Sequence, residues 1–276
     1  MIRLVAFDLD NTLIGHDLTL APRVKTAIAH AQAQGVIVTI ATGRGPSPTD
    51  KFAAELNLTA PLVCFQGGIV YDYRAGQILH EERLDPAVIP VIARLAEERG
   101  WNLQFETPTM IYLPRESNHP EGMLNLLSVA QWKRVDDFTT DLPEVPHKFI
   151  LSVHDPAERD PLAAELRAAF DQSLATQQCR VTVVPSHPIL VEGLPHGMNK
   201  AVGLQWLARY FNLTPAEIMT VGDNDNDVEM LQWAGLGVAM ADGSSAALAA
   251  ADTTVPPVTE DGVTVALEKF VLQARD

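Results

Sequence analysis

The sequence predicts an α/β protein: a parallel sheet with crossover helices, interrupted by an inserted α+β domain. Three observations carry this. Short apolar strand signals alternate with helical patterns over the first 65 residues, and the same alternation returns from Lys200 onward. Between these stretches the rhythm changes to strand signals with two helical patterns among them.

Residues 4–9 form a short apolar, β-favouring run. Residues 23–34 have helical spacing, with Val24, Ala27, Ile28 and Ala31 on one side and Gly35 as a stop. Residues 36–41 are β-branched or apolar throughout, as in a strand buried on both faces. Residues 52–58 read as helix and 62–65 as strand. Strand, helix, strand, helix, strand implies a Rossmann-like parallel core.

In the middle, residues 69–73 and 77–81 flank Arg74-Ala75-Gly76, a hairpin signal. Residues 101–106, 110–113, 148–154 and 180–184 look like strands, with helical patterns at 90–98 and 162–170. Pro143 and Pro146 cluster, and Pro185 and Pro188 punctuate the end. The expected division is a catalytic core of residues 1–81 and 190–276 and an inserted domain of residues 82–189. After it come a helix at 200–211, a Thr214-Pro215-Glu217 capping signal, strands at 218–221 and 236–240, and helices at 228–233, 246–250 and 265–272.

Composition limits the function. Apolar residues make up 47% and charged residues 20% of the 276, ordinary for a soluble globular protein. Apolar runs such as 36–41 fall far short of the ~20 residues of a membrane span. The chain enters a strand-like run at once, so no signal peptide is expected. Cys64 and Cys179 stand far apart and form no CxxC pair, which fits a reducing cytoplasm and two small buried apolar residues. The net charge of −15, with no Lys/Arg-rich block, argues against nucleic acid as a partner. It also means that an enzyme acting on phosphate esters must supply positive charge locally.

The chemistry-bearing residues lie at strand ends. Asp8 and Asp10 are spaced i, i+2 where an apolar strand ends, so in extended chain they point the same way with Leu9 opposite. The carboxyl ends of parallel strands form the ligand crevice. Two acids there can bind a hard cation, or one can attack phosphorus while the other manages the proton. A capped turn after a strand is the plainer alternative. Gly222-Asp223-Asn224-Asp225-Asn226-Asp227 is a second acidic loop past a strand. A calcium EF-hand would need Gly and Glu where Val228 and Ala234 stand, so magnesium suits it better. Thr42-Gly43-Arg44 can offer backbone N–H groups to an anion before a helix. Lys200 starts a helix, where a cation is mildly unfavourable, which hints at a ligand beside the plainer solvated lysine.

Together Asp8-Leu9-Asp10-Asn11-Thr12, Thr42-Gly43-Arg44, Lys200 and Gly222–Asp227 resemble, in order and spacing, the haloacid dehalogenase-like superfamily of phosphatases. The insert falls where the Cof-type branch (cap class IIB) carries its α+β cap. Gly237-Val238-Ala239-Met240 and Glu260-Asp261-Gly262-Val263 extend the resemblance over nearly the whole chain. It implies a Mg²⁺-dependent phosphatase for small phosphorylated metabolites, working through a phospho-aspartate. Asp8 would be the nucleophile and Asp10 the general acid/base. Mg²⁺ would be held by Asp8, Asp223 and Asp10, the last through its backbone carbonyl. Thr42, the Gly43 amide, Lys200 and Asn226 would hold the phosphate, with Arg44 alongside. Asp227 would support Lys200 or a metal-bound water.

The chain departs from the family at Gln66-Gly67-Gly68, Asn199-Lys200-Ala201 and Met240-Ala241-Asp242, the last a possible extra carboxylate near the crevice. His187, Trp206 and Trp233 read as structural. Rival functions are a phospho-receiver, a phosphosugar mutase of the same fold, and a catalytically silent sugar-phosphate binder. A receiver carries its phosphorylated Asp on a later strand, and a silent binder would have no need of both Asp8 and Asp10.

Overall fold

The computed structural model describes residues 1–116, 131–174 and 179–272. The strands, in chain order, are β1 (Leu4–Phe7), β2 (Ile37–Ile40), β3 (Leu62–Cys64), β4 (Ile69–Asp72), β5 (Gln77–Glu81), β6 (Asn102–Glu106) and β7 (Ile111–Pro114). They continue with β8 (Trp132–Val135), β9 (Lys148–Ser152), β10 (Val181–His187), β11 (Leu190–Pro195), β12 (Ile218–Gly222), β13 (Leu236–Met240) and β14 (Thr253–Val255). The chain divides into two compact units.

The first unit comprises Met1–Gly43, Thr49–His80 and the chain from Asn199 onward. Its five-stranded sheet has the order β14-β13-β12-β1-β2, and every neighbouring pair is parallel. β1 is apolar at every position because both of its faces are covered. Val5 and Phe7 pack into a cluster with residues of helices Pro22–Ala33 and Gly262–Leu267. Leu4 and Ala6 pack into another with helix Lys200–Tyr210. β1 lies between β2 and β12, where the sheet order switches direction, so the loops after these three strands surround one crevice.

Two expectations shift here. The helix expected at 52–58 runs Pro46–Glu55. Pro46 and Pro48 read as breakers, but the first turn of a helix leaves its N–H groups unused and tolerates proline. The third strand does not extend the parallel ladder. β3 pairs antiparallel with β4 in a separate sheet of order β3-β4-β5. It meets the chain after β2 through one parallel bridge, Ala41 with Val63. β3 is only three residues long and follows Pro61, which has no N–H to donate.

The second unit comprises Arg44–Pro48 and Glu81–Met198. Its six-stranded sheet has the order β10-β11-β9-β6-β7-β8. All of its described pairings are antiparallel except β7 with β8. Helices Val88–Arg99 and Arg159–Leu174 bury apolar residues against one face. The sequence division ended the insert at residue 189, whereas β11 lies inside this sheet between β10 and β9. Its uniformly buried LVEGLP run reads from sequence as a return to the core. β8 gives no apolar signal because Trp132, Lys133 and Arg134 are exposed. Among the described residues, no helix is long and apolar enough to cross a membrane.

Candidate active site

Asp8 is the first residue past β1, and its amide donates to the Val221 carbonyl at 2.8 Å. The chain then turns sharply. Asn11 adopts φ 59°, a left-handed conformation that asparagine tolerates better than most residues. Asn11 N–H donates to the Ile14 carbonyl at 2.7 Å, and Leu13 N–H to that of Leu9 at 3.0 Å. This turn buries Thr12, whose Oγ1 donates to Asp223 Oδ1 at 3.1 Å.

Lys200 opens its helix behind the Asn199 cap, whose side chain accepts from Val202 N–H at 3.1 Å. Its side chain is fully buried, and Nζ donates to Asp8 Oδ1 at 2.5 Å and to Asp227 Oδ1 at 2.6 Å. Asp227 is fixed from its other oxygen, which accepts the N–H groups of Asp223 at 2.9 Å and Asn224 at 3.0 Å. This fold-back requires glycine at 222, because a Cβ there would lie 2.5 Å from Asp227 Cγ.

Gln66 ties two further segments together. Its amide donates to the Thr42 carbonyl at 3.0 Å, and its Oε1 accepts from Asn226 Nδ2 at 3.2 Å. Gln66 is buried with φ 53°, an unfavourable backbone for a glutamine. The next residue, Gly67, has φ +94°, and a Cβ on it would lie 2.1 Å from the Asn199 carbonyl oxygen. This loop therefore rests directly on the start of the Lys200 helix. Asn226 Oδ1 is buried with no hydrogen-bond partner.

The first unit thus brings together Asp8, Thr42, Lys200, Asp223, Asn226 and Asp227. Ligand atoms of Asp8, Asp223 and Asp227 lie within 4.8 Å of one another. The Asp10 carboxylate is outside that group; Asp10 is half-buried, in the turn beyond β1. Gly43 follows buried Thr42, and Arg44 belongs to the second unit. Asp242 is exposed and outside the carboxylate group. Trp206 and Trp233 pack against the Leu4 cluster, as expected of structural residues. His187 lies in β10 of the second unit, where its Nδ1 accepts from Ile189 N–H at 3.4 Å. Sequence reasoning gave no role to Thr12 and saw Gln66 only as a departure. Thr12 stands in the Asp8 motif, and that was its one visible signal.

Burial dominates the electrostatics. It pushes Asp8 well above the usual aspartate range; Lys200 opposes this, while Asp227, Asp223 and Asp10 add to it. Burial, followed by the Asp227 charge, raises Asp223 to about 7. Burial also works against charged Lys200, but Asp227 and Asp8 more than offset it and hold the ammonium above its ordinary value. One buried cation among three carboxylates leaves excess negative charge, and carboxylate oxygens are the donors that a hard divalent cation takes. The donor set therefore fits Mg²⁺. Lys200→Met leaves Asp8 and Asp227 without their cation. The expected loss is about 3–5 kcal/mol of unfolding free energy, read from urea denaturation at unchanged m-value.

A family model for haloacid dehalogenase-like hydrolases matches residues 5–267. The chain is 30% identical over 271 residues, 97% of each chain, to a 5-amino-6-(5-phospho-D-ribitylamino)uracil phosphatase of Bacillus subtilis. A haloacid dehalogenase-like hydrolase from Bacteroides thetaiotaomicron superposes with TM-score 0.81 at 25% identity, covering 98% of this chain and 99% of the other. A subclass IIB sugar phosphatase of the same superfamily superposes with TM-score 0.84 at 21% identity, over 97% and 98%, a likeness of fold.

Proposed function

The chain belongs to the haloacid dehalogenase-like hydrolases, and from that membership we propose that it is a Mg²⁺-dependent phosphatase acting on a small phosphorylated metabolite through a phospho-aspartate on Asp8. The observation that carries this is the buried hydrogen bond from Lys200 to Asp8, beside Asp223 and Asp227 at the sheet's switch point.

In this reading Asp8 attacks phosphorus with one carboxylate oxygen, and the bond to the leaving oxygen breaks. Asp10 gives that oxygen its proton. Asp10, now a base, takes a proton from water as the water attacks the phospho-aspartate; inorganic phosphate leaves and Asp8 is restored. Lys200 balances charge on the phosphoryl oxygens, and Thr42, the Gly43 amide, Asn226 and Arg44 hold them. Asp227 keeps Lys200 in place. Asp8, Asp223 and the Asp10 carbonyl would hold Mg²⁺, which supplies further charge neutralisation for an acidic protein. The second unit serves as the cap that chooses the leaving group. The ribityl phosphate in the Bacillus relative's name supports a sugar- or polyol-phosphate substrate. Cys64 and Cys179, both buried and not joined in a disulfide, suit a cytoplasmic setting.

The test is phosphate release from a panel of phosphorylated metabolites, present with Mg²⁺ and lost with chelator. Release that persists in chelator would refute the metal requirement, and no release from any ester would refute the function. Metal binding without substrate gives a separate check. Asp223 must lose its proton to bind metal, and it titrates near 7. Mg²⁺ affinity should therefore rise with pH through neutrality, because Asp223 and Asp8, both held above the ordinary aspartate range by burial, must give up their protons to the metal. Calorimetric titration from pH 5.5 to 8.5 reads this; an affinity flat below pH 7 would remove Asp223 from the ligand set.

A further inference from the structure

The loop after β3 turns through three consecutive left-handed residues: Phe65, Gln66 and Gly67 have φ of 48°, 53° and 94°. Such a conformation is unfavourable for a residue with a Cβ, so it persists only where the surroundings hold it. Phe65 is held by the apolar cluster that also takes in Val5 and Phe7 of β1. Gly67 is held by the helix that Lys200 opens, where a Cβ on Gly203 would lie 2.9 Å from the Gly67 Cα. Gln66 is buried between these two anchors. An apolar side chain would serve packing there, yet the residue is polar and its side chain reaches Asn226.

That contact sets the direction of the Asn226 carboxamide. A carboxamide can face a neighbour with its nitrogen or, turned by half, with its oxygen. Asn226 presents Nδ2, which donates to Gln66 Oε1 at 3.2 Å, and its own Oδ1 is buried with no hydrogen-bond partner. The turned arrangement would set Oδ1 against Gln66 Oε1, two acceptors with no proton between them. Gln66 therefore selects the orientation even though a buried acceptor without a partner costs stability. Nδ2 carries a second N–H, which remains for another acceptor.

We propose that Gln66 is a positioning residue for phosphoryl binding: acting through Asn226, it holds the carboxamide so that Nδ2 donates to a phosphoryl oxygen. This rests on the phosphatase reading above, in which Asn226 holds the phosphoryl group. The charge of the site makes the direction matter. Asp8 and Asp227 already share the Lys200 ammonium, with Asp223 close by. Phosphoryl oxygens accept, so a carboxamide that turned its oxygen to them would repel where one that turns its nitrogen attracts. The same loop reaches the other segments given to phosphate in that reading. The Gln66 amide donates to the Thr42 carbonyl, and Gly67 rests on Asn199, the residue before Lys200.

Gln66→Met keeps the length of the side chain and removes the acceptor. The KM for nitrophenyl phosphate and the inhibition constant of inorganic phosphate should both rise about tenfold with kcat within about twofold, since binding lost equally from ground and transition states leaves kcat alone. Asn226→Ala should raise both constants about tenfold, and the double variant no further, because Gln66 has nothing to position once the carboxamide is gone. A packing role would instead multiply the two losses to about a hundredfold. Exchange of the Asn226 side-chain amide protons with solvent, assigned in NMR spectra by their absence from Asn226→Ala, reads the contact directly. It should quicken about tenfold in Gln66→Met and stay slow in Gln66→Glu, which keeps an acceptor. Multiplied losses in the double variant, or unchanged exchange in folded Gln66→Met, overturn the proposal. If wild type releases phosphate from no ester, the phosphatase reading falls. Calorimetric titration with inorganic phosphate then replaces the kinetic constants, and equal affinity in wild type and Gln66→Met, or no binding to either, overturns the proposal too.

Discussion

Asp8→Asn is expected to lower phosphate release by on the order of 10⁴- to 10⁶-fold, the scale of removing a covalent nucleophile. The amide keeps the shape of the carboxylate but cannot attack phosphorus, and it removes one proposed metal ligand. The fold should survive. Asp8 is a carboxylate whose charge burial disfavours, so its neutral form sits in the site at little cost. Lys200 keeps its 2.6 Å hydrogen bond to Asp227. The expected outcome is a melting temperature at or above that of wild type, together with loss of turnover. Rapid-quench mass spectrometry should detect a phosphorylated chain in wild type and none in the variant. Substantial Mg²⁺-dependent hydrolysis by Asp8→Asn, or a phosphoryl group trapped on another residue, would remove Asp8 from its role.

Asp10→Asn should cost roughly 10²- to 10⁴-fold, the usual worth of a general acid/base. The loss should depend on the leaving group. A nitrophenolate departs without much need of a proton, whereas an alkoxide does not. Single-turnover phosphorylation of Asp10→Asn should therefore be nearer wild type with nitrophenyl phosphate than with an alkyl phosphate. Steady-state turnover of both should fall, because the second half-reaction needs the same residue as a base. Equal losses in single-turnover phosphorylation of both esters would count against the assignment.

Much of this site was legible in the chain because strand-end motifs are local. A two-sided apolar strand running into Asp8 and Asp10 reveals its own burial and direction, and the register of β1 with β2 and β12 follows from that burial. Thr42, Lys200 and Asp223 each begin or end an element whose pattern is local too. The Asp227 fold-back depends on Gly222 and two backbone donors within five residues.

What the sequence determined by itself is therefore the parallel core and the places of Asp8 and Asp223 just past strands and of Lys200 at a helix start, since hydrophobic period and strand-end patterns are written within a few residues. Tertiary structure alone decided the rest. Thr12 reaches Asp223 across 211 positions, and Gln66, in a left-handed backbone conformation that no propensity favours, reaches Asn226 across 160. β3 left the parallel ladder, and β11 joined the second sheet, because pairing partners are chosen by register between distant strands. The raised pKa values of Asp8 and Asp223 likewise arise only when burial brings three carboxylates and one ammonium together. Desolvation and like-charge repulsion depend on distance in space, which a sequence does not contain.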